Sequence, residues 1–346
     1  MNDLRAARLP RRAIGLSAVG FAVACVLGVT IGPASISWSD AVVEVLDQIP
    51  GLDLDSGLGP AQSAIVAEIR LPRVVLGAMV GALLSLTGAA YQGAFRNPLA
   101  DPYLLGVAAG AGLGATLAIV NGLGDGGGFV DPVPLAAFLG ALGAVAISYA
   151  AGHLGGRATV SLVLAGVAVA SFLTAIQTYV LQANNEVIRE VYAWILGRLA
   201  TSGWSEVLLL LPYFLVTVVV VVRYRHALDV LAVGDEEARA LGIDPGRVRG
   251  IVVVVASLGA AAAVSVSGLI GFVGIIVPHA VRLLVGVSHR AVLPMTVVLG
   301  AAFMVLADLV ARTVVAPAEL PIGVVTAMIG APFFVLVLRT SSRETW

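Results

Sequence analysis

The chain has 346 residues, of which 59% are hydrophobic and 12% are charged, and its mean hydropathy is +1.00. Soluble domains carry about 25% charged residues, so this composition excludes an ordinary water-soluble protein. At about 20 residues for each membrane-crossing helix, the hydrophobic content is enough for about ten spans.

The basic residues are all arginines: the Lys and Arg count of 20 contains no lysine. A phosphate-binding P-loop needs a lysine on the β- and γ-phosphates, so any ATP hydrolysis must take place on another polypeptide. The single cysteine, Cys25, excludes disulfide frameworks and cysteine-based metal sites.

Apolar segments predict ten transmembrane helices within one domain that covers residues 1–346. The first could be a signal peptide or a retained helix; its length favours a retained helix, because signal h-regions run about 7 to 15 residues. Glycines and Pro278 interrupt the eighth, and a broken helix needs protein neighbours to satisfy its backbone. The predicted spans are 13–31, 74–95, 103–121, 133–152, 159–182, 206–222, 248–266, 268–287, 292–311 and 321–339.

The arginines indicate the orientation, because cytoplasmic loops of membrane proteins are enriched in basic residues. Ten spans place both termini on one side, and if that side is the cytoplasm, 15 of the 20 arginines lie inside. The net charge then splits into +7 inside and −8 outside, although the whole chain carries only −1. The sequence therefore predicts a plasma-membrane protein with cytoplasmic N- and C-termini.

Small residues recur at every fourth position in several predicted spans. Helices in lipid lack a hydrophobic reason to associate, and such ridges let their backbones approach closely. We therefore expect packing surfaces within the bundle more than the lining of a pathway. The glycines on these ridges include Gly77 and Gly81 in the second span and Gly106, Gly110 and Gly114 in the third.

Two polar connections stand out. Residues 33–69 are acidic and predict an external loop, with one short interfacial helix at 41–46. Residues 223–249 predict a cytoplasmic connection, in which Asp235 is the N-cap of a short helix, Gly242 ends this helix and Asp244 starts a turn. The residues alone leave open whether this second connection is a lever or an ordinary solvated loop.

Several motifs occur together and in order along nearly the whole chain. They include Arg-Leu-Pro-Arg at 70–73, Arg-Asn-Pro-Leu-Ala-Asp-Pro at 96–102 and Gly-Asp-Glu-Glu-Ala-Arg-Ala-Leu-Gly at 234–242. Gly-Leu-Ile-Gly-Phe-Val-Gly at 268–274 and Glu-Leu-Pro-Ile-Gly at 319–323 follow. With these motifs the sequence resembles the permease subunits of ABC importers for ferric siderophores, haem and cobalamin.

The resemblance implies an all-α polytopic subunit with ten transmembrane helices that forms a dimeric translocation bundle. Its implied partners are two ATP-binding subunits, an extracytoplasmic solute-binding protein, and a second permease that is a copy or a paralogue. ATP and Mg would sit on the partner ATPase, so the chain itself would be no enzyme and would hold no cofactor or metal. The implied cargo is a metal chelate, first a ferric siderophore, with cobalamin or haem as alternatives; nucleic acid is not expected.

The resemblance also assigns roles to residues. Three external arginines, Arg70, Arg73 and Arg312, would dock the binding protein; the alternative is that they snorkel at helix ends. The segment that would couple to the ATPase consists of Gly234, Asp235, Glu236, Glu237, Ala238, Arg239, Leu241 and Gly242.

Two other classes of function compete with this interpretation. A proton-coupled transporter would need a carboxylate or histidine in the middle of a span, and an intramembrane enzyme would need a catalytic set at that depth. Every Asp and Glu falls near a predicted helix end or in a loop, and of the histidines only His279 lies well inside a predicted span. Both alternatives are therefore disfavoured.

Overall fold

The computed structural model describes residues 11–32, 34, 36–49, 51–52, 54–123, 131–154, 159–199 and 203–341. Within these ranges the regular secondary structure is helical throughout. The helices are α1 Arg11–Thr30, α2 Trp38–Asp47, α3 Pro60–Ala64, α4 Leu71–Phe95, α5 Val107–Val120, α6 Pro132–Leu154, α7 Thr159–Ala183, α8 Ile188–Ile195, α9 Trp204–Arg223, α10 Arg225–Leu231, α11 Asp235–Ala240, α12 Pro245–Ser267, α13 Val273–Val285, α14 His289–Thr313 and α15 Ile322–Ser341.

Seven of the described helices are long and apolar enough to cross a membrane. They are α1, the continuous helical stretch Pro60–Phe95 that contains α4, and helices α6, α7, α9, α12 and α14. Helices α5, α13 and α15 are also apolar but shorter. Each predicted span overlaps one of these helices, and the bounds agree to within five residues.

The largest difference in bounds lies at the predicted eighth span. Helix α12 ends at Ser267 and α13 starts only at Val273, because Gly268 and Phe272 both have a positive φ, of +71° and +69°, which a right-handed helix does not allow. The hydroxyl of Tyr103 lies 3.0 Å from the Ile270 carbonyl, to which it donates, and accepts the Ile270 N–H at 3.2 Å. These bonds satisfy part of the backbone that the break leaves without helical partners.

Residues 33–69, predicted as a loop, are helical over much of their described length. Helix α2 covers the predicted interfacial helix at 41–46, and its Glu44 accepts hydrogen bonds from Ser56 and Ser63. From Pro60 the chain is helical without interruption through a π-helix, Ile65–Arg70, into α4. Proline suits the first turn of a helix, since its missing N–H would have no partner there.

Helix α4 forms the centre of the bundle. It packs against α1, α9, α12, α13 and α14. In its most apolar 18-residue segment, 89% of the residues are buried, whereas the corresponding fraction for α7 is 11%. Its two ends define the two ends of the molecule. We call them the α2 end, where Leu71 lies, and the α11 end, where Phe95 lies.

Glycines mark the closest approaches between helices. A Cβ atom at Gly81 would overlap the carbonyl of Gly300 on α14, and one at Gly110 would overlap the carbonyl of Gly140 on α6. One at Gly114 would overlap the Ala136 carbonyl. Backbone therefore touches backbone at these positions, with no room for a side chain.

The other two glycines of the sequence-predicted ridges differ in what surrounds them. At Gly77 the nearest neighbour of an added Cβ is a flexible Leu199 methyl at 3.3 Å. Gly106 has φ of +83°, where the 3-10 helix Pro102–Leu105 turns into α5. Glycine at Gly106 therefore serves backbone geometry rather than close packing.

Two glycines of α6 provide a matched test of this packing. We expect Gly140→Ala to lower the thermal stability of the detergent-solubilised protein, because the added methyl would push α5 away from α6. Gly143→Ala should leave stability unchanged or raise it by up to about 1 kcal/mol, since alanine favours helix and no atom lies within 4 Å of the new methyl. Equal effects of the two substitutions would contradict the close contact at Gly140.

Candidate functional site: the α11 segment and the buried arginine cluster

The segment 234–242 forms a single short helix with a glycine at each boundary. The N-cap of α11 is Gly234, with φ of +150°, and not the predicted Asp235, which is the first helical residue; Gly242 follows the helix with φ of +79°. The Gly242 N–H donates to Arg239 and the Ile243 N–H to Ala238, which closes the helix end. Three acidic residues in the first turn complement the positive end of the helix dipole.

Asp235 ties α11 to the rest of the bundle. Its carboxylate accepts hydrogen bonds from both terminal nitrogens of Arg249, at 2.6 and 2.8 Å, and lies 3.3 Å from Arg96 Nη2. Arg249 Nε also donates to the carbonyl of Ala94 at 2.9 Å. Arg249 belongs to α12 and Ala94 to α4, so one carboxylate joins α11 to both helices.

The hydrogen bonds from Arg249 lower the pKa of Asp235, against a smaller opposing effect of burial. The charges of Arg249, Arg96 and Arg239 lower this pKa further. The carboxylate is therefore ionised throughout the neutral range, and its contacts are lost only in acid below the ordinary aspartate range.

The eight residues assigned to coupling fall into two groups. Gly234 and Ala238 are buried, and Asp235 is bound by arginines, so these three hold α11 in place. The other five form an exposed surface that we call the α11 surface: Glu236, Glu237, Arg239, Leu241 and Gly242. Exposed charges of both signs can be matched by complementary charges on a partner protein, which fixes the register of binding and raises the association rate.

A second tie holds the same end of the molecule. Asp229 of α10 accepts the His289 backbone N–H at 2.6 Å and the Ser288 hydroxyl at 2.9 Å, and its carboxylate also contacts His289 Nδ1 at 2.9 Å. Burial raises the pKa of Asp229, but the hydrogen bonds from His289 and Ser288 outweigh this and lower it. Asp229 therefore caps α14 as Asp235 anchors α11.

Sequence reasoning missed Asp229 and Arg249 and included Arg96 only as part of a motif. Arg249 lies 14 residues from its partner Asp235, and His289 lies 60 residues from its partner Asp229. No local spacing rule connects residues at such separations, so only the fold shows these ties.

The three arginines predicted to dock a binding protein lie together at the α2 end, and all are buried. Arg73 donates to Asp308 at 2.8 Å and to Glu319 at 2.9 Å. Asp308 is buried as well, whereas the Glu319 side chain is 35% exposed. This arrangement is a buried ion-pair network that joins α4, α14 and the connection to α15.

Arg70 and Arg312 hold the C-terminal end of α1. Arg70 donates to the carbonyls of Val29 at 3.0 Å, Thr30 at 2.9 Å and Ala34 at 2.6 Å. Arg312 donates to the Gly28 carbonyl, and its Nε lies 3.6 Å from Asp308. Cations at a helix C-terminus complement its unpaired carbonyls and its dipole.

The burial and bonding of the three arginines bear on the two roles that the sequence left open, which are docking of a binding protein and snorkelling to water. Their exposed fractions are only 4% for Arg70, 7% for Arg73 and 4% for Arg312, so their guanidinium groups do not snorkel to water. All three are also bonded within the chain. The structure favours a structural role, and docking of a partner stays a prediction.

The arginine network predicts a graded loss of stability. Arg73→Gln leaves Asp308 buried without its main counter-ion and should destabilise the protein by about 3–5 kcal/mol. Glu319→Gln should cost much less, since that carboxylate is one third exposed. Chemical unfolding in mixed micelles measures both, and equal losses would contradict the burial of the Arg73 and Asp308 pair.

Comparison with known proteins shows which family this chain is similar to. The model of the FecCD transport family matches residues 20–340. An uncharacterised ABC transporter permease of Bacillus subtilis, YvrB, is 40% identical over 331 residues, which cover 94% of this chain and 93% of YvrB. The cobalamin import system permease protein BtuC of Halobacterium salinarum is 42% identical over 335 residues, with 94% and 89% covered.

A solved structure agrees at the level of the fold. It is described as an inward-facing conformation of a metal-chelate type ABC transporter, and it superimposes with a TM-score of 0.82 at 31% identity. The match covers 96% of this chain and 99% of that one. The chain therefore belongs to the FecCD transport family, as a membrane-embedded permease subunit of the metal-chelate class of ABC importers.

Proposed function

We propose that this permease has ten transmembrane helices, with both termini and residues 223–249 in the cytoplasm. The seven long apolar helices and the three shorter ones each overlap a predicted span, which supports this number. The placement of 15 of 20 arginines on one side supports the orientation. The α11 end of the molecule then faces the cytoplasm, and the α2 end faces outward.

The α11 surface is the proposed contact with a separate ATP-binding subunit. The single observation that carries this proposal is that five of the eight residues assigned to coupling are exposed while Asp235 binds Arg249 of α12 and lies against Arg96 at the end of α4. A force on α11 would therefore reach the central helix through charged hydrogen bonds. Such bonds are stronger than neutral ones, which suits them to transmit movement.

Two ATP-binding subunits would bind ATP and Mg, since the chain has no lysine for a P-loop. Their nucleotide-driven closure would move α11 and switch the bundle between outward-open and inward-open states. A second permease, a copy or a paralogue, would complete the pathway between the two bundles. A solute-binding protein would dock at the α2 end, where the buried arginines fix the end of α1 and the connection to α15.

The cargo that we propose is a metal chelate, with a ferric siderophore as the first candidate. Cobalamin is the second, because the 42%-identical relative is named as a cobalamin permease, and haem is the third. Asp308 near the end of α14 and Glu319 just before α15 could carry protons in a proton-coupled mechanism, but both carboxylates are bound by Arg73. This pairing disfavours a proton-driven transporter.

The α11 surface can be tested separately from the fold. We expect replacement of Glu236, Glu237 and Arg239 by alanine to weaken binding of the ATP-binding subunit about tenfold, because all three side chains are exposed and none anchors α11. Helix content and thermal stability should not change. The control is Arg247→Ala, which removes an exposed arginine outside α11. If the triple variant still co-purified with the ATP-binding subunit and still stimulated its ATPase activity, the assignment would be refuted.

Reconstitution tests the energy source and the cargo together. Proteoliposomes that contain the permease, its ATP-binding subunit and its binding protein should accumulate a radiolabelled chelate only when ATP is supplied. Ferric siderophore, cobalamin and haem are offered side by side, and the one that accumulates identifies the cargo. Uptake driven by a proton gradient without nucleotide would overturn the importer proposal.

A further inference from the structure

A cleft of about 740 Å³ opens beside α9 and α10 at the α11 end. Its lining includes Arg223, His226, Ala227 and Val230, which recur with helical spacing, together with Leu241 and Ile243. Cationic and apolar groups thus line the same space. None of the described lining residues is acidic.

Arg290 at the start of α14 does not line the cleft itself, but it contacts the lining residue His226. Its Nη2 lies 2.7 Å from His226 Nε2 and 3.0 Å from Nδ1, so the guanidinium lies against the imidazole ring. The carboxylate of Asp229 is 3.9 Å from Arg290 Nε, but it already accepts bonds from Ser288 and His289. Arg290 is 42% exposed and retains donors for a further anion.

The cleft continues an exposed apolar stripe on α9. Leu208, Leu215 and Val219 are 64%, 51% and 65% exposed, and with Arg223 they follow one another at intervals of seven, four and four residues. These intervals place all four on one face of the helix. An acyl chain that lies along the apolar stripe would therefore bring its headgroup to Arg223.

We propose that this cleft binds the headgroup of an anionic phospholipid. The phosphate would accept hydrogen bonds from Arg223 and Arg290, since guanidinium groups match phosphate geometry. Basic pockets between membrane helices recognise anionic headgroups in this way. A soluble anion would match the charge equally well, but only a lipid uses the adjoining stripe.

Lipid binding at this cleft is separate from the proposed function. It rests on that function only for the orientation, which makes the cytoplasmic leaflet the source of the lipid. It also borders the α11 surface, because Leu241 belongs to both. A bound lipid would therefore contact the segment that meets the ATP-binding subunit. Lipid composition would in this way influence coupling.

The test measures lipid binding to the full-length permease alone, in uncharged detergent. Native mass spectrometry follows retention of phosphatidylglycerol against phosphatidylcholine during a lipid titration. We expect a clear preference for phosphatidylglycerol, weakened about fivefold by Arg223→Gln or Arg290→Gln and about 25-fold by both, as expected for roughly 1 kcal/mol per arginine. Arg223→Lys should retain the preference, and raised salt should reduce it.

Arg247→Gln is the matched control, because Arg247 is an exposed arginine of the same connection that does not line the cleft. Thermal stability of each variant confirms that it is folded. Three results would overturn the site: no preference for the anionic lipid, an equal loss in Arg247→Gln, or displacement of the lipid by free glycerol phosphate at equal concentration. Because no ATP-binding subunit is present, failure here leaves the proposed coupling role untouched.

Discussion

The burial of α4 depends on direct contact between helix backbones. A helix in a bilayer gains no hydrophobic free energy by exchanging lipid for protein, so close packing must supply the attraction. Gly81 lies against the Gly300 carbonyl of α14, and Gly88 lies against the Gly274 carbonyl of α13. At both points even a methyl group would separate the helices, so the central helix has little freedom to slide against its neighbours.

Charged groups then fix the two ends of this packed centre. Burying an ion pair costs desolvation energy, and removing one partner costs more because the other is left without compensation. The fold accepts this cost at the α2 end, where Arg73 of α4 binds Asp308 of α14. At the α11 end Gly93 of α4 packs against His289 of α14, which Asp229 holds from α10. The pair of helices is thus joined at both ends as well as in the middle.

Hydropathy was sufficient to predict which segments are apolar helices, because lipid imposes that pattern on each segment separately. The break between α12 and α13 was also indicated by its glycines, although its left-handed Phe272 was not. Burial of the arginines could not be predicted, because the local sequence around an arginine near a helix end does not show whether the side chain faces water or a distant carboxylate. The partner of Arg73, Asp308, lies 235 residues away. The hydrogen bonds between Asp235 and Arg249 could not be predicted for the same reason. These bonds distinguish the residues that anchor α11 from those that are exposed.

These contacts determine which parts of the bundle can move when α11 is displaced. Asp235 connects α11 to α4 and α12, and Asp229 connects α10 to α14, so a displacement reaches both members of the α4 and α14 pair at once. Arg73 and the glycine contact at Gly81 hold the two helices together along their length. We therefore expect the pair to move as one body. Residues 268–272 between α12 and α13 are irregular, yet they too are held within the bundle, because Tyr103 bonds to both backbone groups of Ile270 and the Leu269 N–H donates to Ile195.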